Sequence, residues 1–566
     1  MEELSKPQKA RIAIRTFKIH ADSLTLQGAY KPSGKAGEKL AEALRSLSPE
    51  IYGSMTDNRI VELKGLEYVI DRMPKGIEKC TRLILTAQED FNQTSFEKII
   101  PLKRRRVSYA VSKREMCFVI TRGTSEIYDF LTHITFLNIE AQKIYRQAFN
   151  RVDDMSPEWA ELERVVTREK EVAGEELDQA IWNLSIILGR TYKETRDSYE
   201  SFEENRLESV SNNGLFSIIY NIGMRIRGEQ EGVQNLLTIY FTPSLHEMIG
   251  HHKYASLWAV SLKKKICDLG LQDRPVHVIS ANMHSMRNLL YGAGALMAAG
   301  DAVPDDLYEM VKCIKDKESL VVDYAQKHGC FIYDDKTGSS IDVNIIDLSR
   351  IDEQKNHPAL PLSFEKRQEK RPVLVVMDYA FGTQAFEIMD ELLSPYRDGK
   401  HHINFNVQSI SIMGKAGILS GKKGDIMLAS AYVLEGTPHN YIVNNDFDEK
   451  DFDNGVEVYS GPMVTVLGTS LQNRDMLNRF HSSSWKAIGL EMEGGHYQRA
   501  ISGAIIQEHI RPDMKIRYAY YASDNPLTSG QTLASGPMGE DGIVPTYMIS
   551  KIILQKIVNC DCNDQG

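Results

Sequence analysis

Two textures divide the chain. From about Ala10 to Lys265, apolar residues recur at three- and four-residue spacing with charged residues between them, the pattern of amphipathic helices. Pro157 to Leu207 is the clearest stretch: Ser156, Pro157 and Glu158 supply an N-cap, a first-turn proline and an acid facing the positive end of the helix dipole. Helices here are expected to pack on helices. Two short apolar runs, Arg82 to Thr86 and Cys117 to Thr121, also fit strands, so this half reads as mainly rather than purely helical.

After Leu271 the pattern changes to apolar runs of four to six residues alternating with helical stretches and glycine turns. Val276 to Ser280 reads as a strand and Met286 to Met297 as the helix after it. Cys330 to Tyr333 and Ile341 to Ile346, joined by a turn at Asp334 to Gly338, read as a hairpin. Further strands are expected at Val373 to Met377, Val407 to Met413, Gly424 to Ala429, Glu457 to Leu467 and Ile516 to Ala522. Strands alternating with helices give an α/β fold with a central mixed sheet. The expected division is a mainly helical domain over residues 1–268, regulatory or oligomer-building, and an α/β domain over 269–566. The charged, proline-bearing stretch Asp352 to Arg371 reads as a long surface loop.

Length agrees with more than one domain, since 566 residues exceed the roughly 150 of a typical domain several times over. The formal net charge of −10 argues against a nucleic-acid coat, because a net negative surface repels phosphate backbones, and points to a small ligand gripped in a local pocket. No run of about 18 apolar residues occurs, and Met1 to His20 is studded with Lys and Arg, so a soluble cytoplasmic protein that meets no membrane is expected. Seven cysteines without a CxxC pair fit reduced thiols. The Cys560-Asp-Cys562 tail reads as a frayed end with incidental cysteines, against a soft-metal site.

Four loops fall at the ends of predicted strands, where an α/β sheet builds its binding site. Ser280 to Arg287 offers His284 and Arg287 near a helix start, suited to a phosphate, against the rival reading of a solvent-facing arginine on a core helix. Met377 to Gln384 offers Gly382 for close backbone approach and Thr383 as hydroxyl and N-cap, a turn that suits an anion but also any capped helix. Ser411 to Gly417, followed by Gly424-Asp425-Ile426, places Gly414 and Gly417 right after a buried strand and adds the charge of Lys415, or forms a tight turn between neighbouring strands. Gly489 to Gly495 carries Glu491 and Glu493 among apolar residues, and Tyr521 to Pro526 carries Asp524 after an aromatic strand. Acids so placed are costly unless they bind hydroxyls or handle protons, or unless they stabilise a helix start.

His246-Glu-Met-Ile-Gly-His251-His252 lacks the four-residue histidine spacing of a zinc protease helix and reads as a polar helix segment. Lys103 to Arg106 reads as a solvated turn or interface patch.

Together and in this order, the four loops resemble the nucleoside phosphorylase and nucleosidase superfamily, and within it the catalytic domain of AMP nucleosidases most closely. The resemblance covers the chain from about Asp273 onward. Gly414 to Gly417 with Gly424 to Ile426 is similar to the family's GxxGG and GD(I/L) segments, Glu491-Met492-Glu493-Gly494 to its ribose motif, and Ser523-Asp524-Asn525-Pro526 to its acid motif. Phe381 to Thr383 looks like the glycine-rich phosphate loop. Ile418 departs from the pattern where many members carry the second glycine, and the first loop lacks the GDPxR of true phosphorylases, which favours water over phosphate as nucleophile.

What the resemblance implies is cleavage of a purine N-glycosidic bond without cofactor or metal, in a homo-oligomer whose partner is a small purine nucleotide or nucleoside. Asp524 would donate a proton near purine N7, kept protonated by burial. Glu493 would accept from the ribose hydroxyls, with the Met492 backbone beside it and Glu491 near the sugar or orienting water; Ser523, Gly414 and Gly417 would line the base and ribose. Arg287, His284, Gly382, Thr383 and Lys415 are the candidates for a 5′-phosphate. Three functions follow: hydrolysis of AMP or a relative, phosphorolysis or a methylthioadenosine-type nucleosidase, and a catalytically silent nucleotide sensor.

Overall fold

A computed structural model describes residues 4–563, apart from 88–90, 92, 104–105, 152–153, 169–171, 210–212, 233–236, 363, 365–369, 399–400, 453–454 and 529–537. The chain forms two compact units, Met1–His251 with Ser470–Met476, and His252–Thr469 with Leu477–Gly566.

In the first unit, the helix Gly123–Ala148 is buried along most of its length and packs on Leu215–Gln230. Ser156 caps Pro157–Thr167 as the sequence predicts, its hydroxyl accepting from the Trp159 N–H at 3.2 Å. Both ambiguous apolar runs are strands: Arg82–Thr86 lies parallel to Glu115–Val119 inside a six-stranded sheet. The basic cluster divides. Arg106 departs from the solvated patch expected of it, fully buried on Asp129 at 2.6 Å, while Lys103 stays exposed as expected and pairs with the buried Asp71 at 2.6 Å; Arg104 and Arg105 lie outside the described residues.

The second unit is the expected α/β layer around a central mixed sheet. Its strands are β1 (Pro275–Ser280), β2 (Cys330–Tyr333), β3 (Val343–Asp347), β4 (Val373–Met377), β5 (Asn406–Ile418), β6 (Ile426–Leu434), β7 (Asn440–Ile442), β8 (Val458–Thr465), β9 (Gly489–Glu491) and β10 (Lys515–Asp524). The predicted hairpin forms between β2 and β3, with Cys330 opposite Ile346. Parallel neighbours β4, β1, β5 and β10 make the centre. Helices α1 (Lys253–Asp268), α4 (Gln384–Leu393) and α5 (Gly494–Ile506) contribute to one core, and α2 (Met283–Ala299), α3 (Leu307–Lys315) and α6 (Ile543–Asn563) to the other.

Alternate residues of β4 serve the two cores: Val373, Val375 and Met377 enter the first, Leu374 and Val376 the second. A strand covered on both faces has no polar side to present, which is why this run reads as continuously apolar. Five strands close a circuit, since β5 pairs with β10, β10 with β6, β6 with β8, β8 with β9, and β9 with β5.

Gly414 and Gly417 are not in a loop after a strand. They lie within β5, whose ladder to β10 continues until Gly417 meets Asp524. Among the described residues no helix is long and apolar enough to cross a membrane. Asp352 to Arg371 carries short helical turns such as Glu353–Lys355, with 363 and 365–369 outside the described residues, as are the side chains of Cys560 and Cys562.

Candidate active site

Strand β9 fills a short slot between β5 and β8. Leu490 faces Gly417 of β5 on one side and Val464 of β8 on the other, and Glu491 ends level with Thr465. A carboxylate leaving this slot enters a buried helix start. Glu491 Oε1 accepts from the Thr465 hydroxyl at 2.6 Å, while Oε2 accepts from the N–H groups of Glu493, at 2.5 Å, and Gly494. The first amides of α5, which have no partner within the helix, are thereby satisfied by an anion at the helix's positive end.

Burial pushes the Glu491 carboxyl up to about 7, against the lowering effect of these hydrogen bonds. The side chain binds the start of the helix it precedes, one of the two roles the sequence left open for it. Gly494 is required at this point, because a Cβ there would lie 2.4 Å from both the Tyr432 ring and the Tyr520 hydroxyl.

Glu493 emerges past this lock. Its Oε1 accepts from the Gly382 N–H at 2.9 Å, so the loop between β4 and α4 spends that amide on a carboxylate of the chain itself. Gly382 holds φ at +56°, a conformation that favours glycine. Thr383 occupies the N-cap position of α4 without a capping bond from its side chain; Gln384 turns back instead, accepting from Phe381 N–H at 3.1 Å. The Tyr497 hydroxyl pairs with Ser280 at 3.0 Å, tying α5 to the end of β1. The Tyr379 ring lies over Gly414, 3.6 Å from where a Cβ would stand.

Asp524, 3% exposed, closes β10. The Ser523 hydroxyl lies 2.5 Å from Asp524 Oδ1 and 3.2 Å from the Ala416 carbonyl, and a register shift after Ala416 brings Asp524 opposite Gly417. The Gly424-Asp425 segment braces this corner: Gly424 N–H donates to Ala522 O at 2.9 Å, Ala522 N–H returns to Asp425 O at 2.8 Å, and Asn525 Nδ2 reaches Gly421 O at 2.8 Å. Gly417 therefore has β9, the strand leading to Glu493, on one side and Asp524 on the other. Met492 lies buried between the two glutamates.

A cavity of about 650 Å³ opens beside β5, lined by Asn282, His284, Lys315, Glu318, Lys415 and Tyr521 among others. Two of the sequence's phosphate candidates, His284 and Lys415, meet there. Arg287 comes close through its ion pair with Glu318 at 2.7 Å, and the expectation of a solvent-facing arginine fails because α2 buries it to 7% exposure. Burial, helped by the Arg287 charge, lowers the His284 pKa. Gly382 and Thr383 do not line this cavity. Sequence reasoning missed Lys315 and Thr465, the first an ordinary helix lysine and the second an inner residue of the expected strand Glu457 to Leu467; Tyr379 lies within the loop Met377 to Gln384 and carries no signal of its own there. His246 bonds the Thr25 carbonyl at 2.6 Å, and among the described residues no group of three or more His, Cys, Asp or Glu is placed to share a metal ion.

The model of a family described as "Family of unknown function (DUF6909)" matches residues 38–299 and 307–559, and the chain belongs to that family. No curated protein matches it. Among solved structures, isoform 2 of uridine phosphorylase from Schistosoma mansoni is 10% identical, with 55% of this chain and 91% of that one covered, at a TM-score of 0.30. A futalosine hydrolase mutant of Helicobacter pylori strain 26695 is 11% identical over 51% of this chain and 99% of that one, at a TM-score of 0.28. The 5′-methylthioadenosine/S-adenosylhomocysteine nucleosidase of Colwellia psychrerythraea 34H, in complex with adenine, is 12% identical over 50% and 96%, at a TM-score of 0.28. Likeness this slight adds nothing to the geometry of the site itself.

Proposed function

We propose that this member of a family of unknown function is an N-glycosidase that hydrolyses AMP or a related purine nucleotide or nucleoside to free base and the (phospho)ribose. The observation that carries the reading is the register at Gly417, with Asp524 on one flank and the strand that leads to Glu493 on the other. An acid for the leaving base and an acceptor for sugar hydroxyls are the two groups such a reaction needs from the protein.

As the C1′–N9 bond lengthens, its electron pair moves onto the purine and the sugar becomes oxocarbenium-like. Asp524 gives its proton to N7, so that the base departs neutral. Glu493 accepts from the 2′- and 3′-hydroxyls, whose acidity rises as positive charge grows on the ring, so these contacts strengthen toward the transition state. Water adds to C1′, and the proton it releases restores the acid form of Asp524. Lys415, Lys315 and His284 line a cavity able to receive a 5′-phosphate. The two lysines favour a second reading, in which inorganic phosphate occupies the cavity and replaces water as nucleophile.

The test is release of free base from AMP, GMP, IMP, adenosine, inosine and methylthioadenosine, each with and without inorganic phosphate, compared with Asp524→Asn. Adenine from AMP without phosphate, abolished in the variant while ligand binding persists, is the expected result. Release only with phosphate selects the phosphorylase. Binding without release from any substrate leaves a sensor.

A further inference from the structure

Glu493 is held from two directions, and the hold on its backbone starts on a different strand. Thr465 ends β8, is 3% exposed, and stands level with Glu491 in the parallel ladder. Its hydroxyl donates to Glu491 Oε1 at 2.6 Å and accepts from the Gly495 N–H at 3.1 Å. Glu491 passes the constraint on through its other oxygen, which takes the N–H of Glu493 itself at 2.5 Å. The far end of the Glu493 side chain is fixed separately by Gly382 N–H at 2.9 Å. One hydroxyl thus joins strand, buried carboxylate and helix start, and the residue projecting from that helix start is the one assigned to the sugar. As a β-branched residue in a strand, Thr465 also brings a restricted χ1, which fixes the hydroxyl's aim.

We propose that Thr465 is a positioning residue that sets the site's demand for a ribose: through Glu491 it fixes the backbone from which Glu493 meets the 2′- and 3′-hydroxyls. This rests on the assignment of Glu493 to the sugar. Removing the Thr465 hydroxyl withdraws a donor from Glu491 and leaves the Gly495 N–H without its acceptor. The α5 start then loses its fixed relation to β8, and Glu493 its alignment. A 2′-deoxy substrate, which gives Glu493 less to hold, loses correspondingly less.

The experiment measures the affinity ratio of AMP to 2′-deoxy-AMP by calorimetry, and the same ratio in kcat/KM, for the full-length wild type, Thr465→Val, Thr465→Ala and Thr465→Ser. Valine keeps the shape and drops the hydroxyl; alanine drops the hydroxyl and the methyl; serine keeps the hydroxyl. The preference for AMP is expected to fall by about tenfold in Thr465→Val and in Thr465→Ala and to persist in Thr465→Ser, in line with the cost of a small misplacement in a preorganised site. Should Thr465→Val not fold, Thr465→Ala carries the comparison. An equal preference in all variants, or a loss equal for the two nucleotides, overturns the proposal. A collapsed ratio in a protein that releases no base upholds the positioning role and removes the glycosidase. Failure of the wild type to bind either nucleotide overturns both.

Discussion

Glu491 makes the stability of this protein depend on pH in a direction opposite to that of most paired carboxylates. Its carboxyl is pushed from the ordinary 4.5 to about 7 by burial, so between those values the folded chain binds more protons at this site than the unfolded chain does. Stability then falls as pH rises through the window, and the full penalty stands above about pH 7. At about 1.4 kcal/mol for each tenfold change in proton affinity, that displacement is worth roughly 3 kcal/mol at the plateau, most of which develops between pH 5 and pH 8. Glu491→Gln has nothing to ionise. Its amide can accept the Glu493 and Gly494 amides with one end and donate to Thr465 with the other, so the helix start keeps its partners.

The assay is urea unfolding of wild type and variant at pH 5, 6, 7 and 8, following the transition of the unit that contains Glu491, because a two-unit chain need not unfold in one step. The variant is expected to gain on the wild type by about 2 kcal/mol from pH 5 to pH 8. A difference that stays constant within about 0.5 kcal/mol, or that moves toward the wild type, refutes the reasoning.

Gly382→Ala places a side chain at φ +56°, which costs about 1 to 2 kcal/mol and loosens the amide that holds Glu493. KM for AMP is expected to rise in steady-state assays, with a small drop in melting temperature. Lys415→Met removes a cation from the cavity wall and is expected to raise KM for AMP far more than for adenosine. Asn525→Ala deletes the bond to the Gly421 carbonyl and the acceptor of the Leu527 amide. The corner that carries Asp524 should then show faster amide exchange and a loss of about 1 kcal/mol, with base release reduced but not abolished.

Much of the second unit was legible in the residues. The uninterrupted run Val373 to Met377 reads as a strand covered on both faces, and the hairpin from Cys330 to Ile346 follows from two apolar runs around a turn. Ser156 before Pro157 marks its helix start without any tertiary information. The positions of Glu493 and Asp524 at element ends could be read for the same reason, since a costly acid after an apolar run has few roles. Such signals survive in a sequence because spacing, capping and side-chain alternation act over a few residues.

Tertiary structure decided who meets whom. Gly414 and Gly417 read as a loop, yet they stay in strand β5 because β10 supplies the ladder partners that keep the backbone extended. The Gly382 amide, offered by the sequence to a phosphate, goes to Glu493, 111 residues away. Arg287, readable as a phosphate ligand or a solvent-facing cation, pairs with Glu318. In each case the residue type was visible and its partner was not. The partner is chosen by the register and packing of strands distant in the chain, and a buried polar group takes whichever donor or acceptor that packing brings within hydrogen-bond reach.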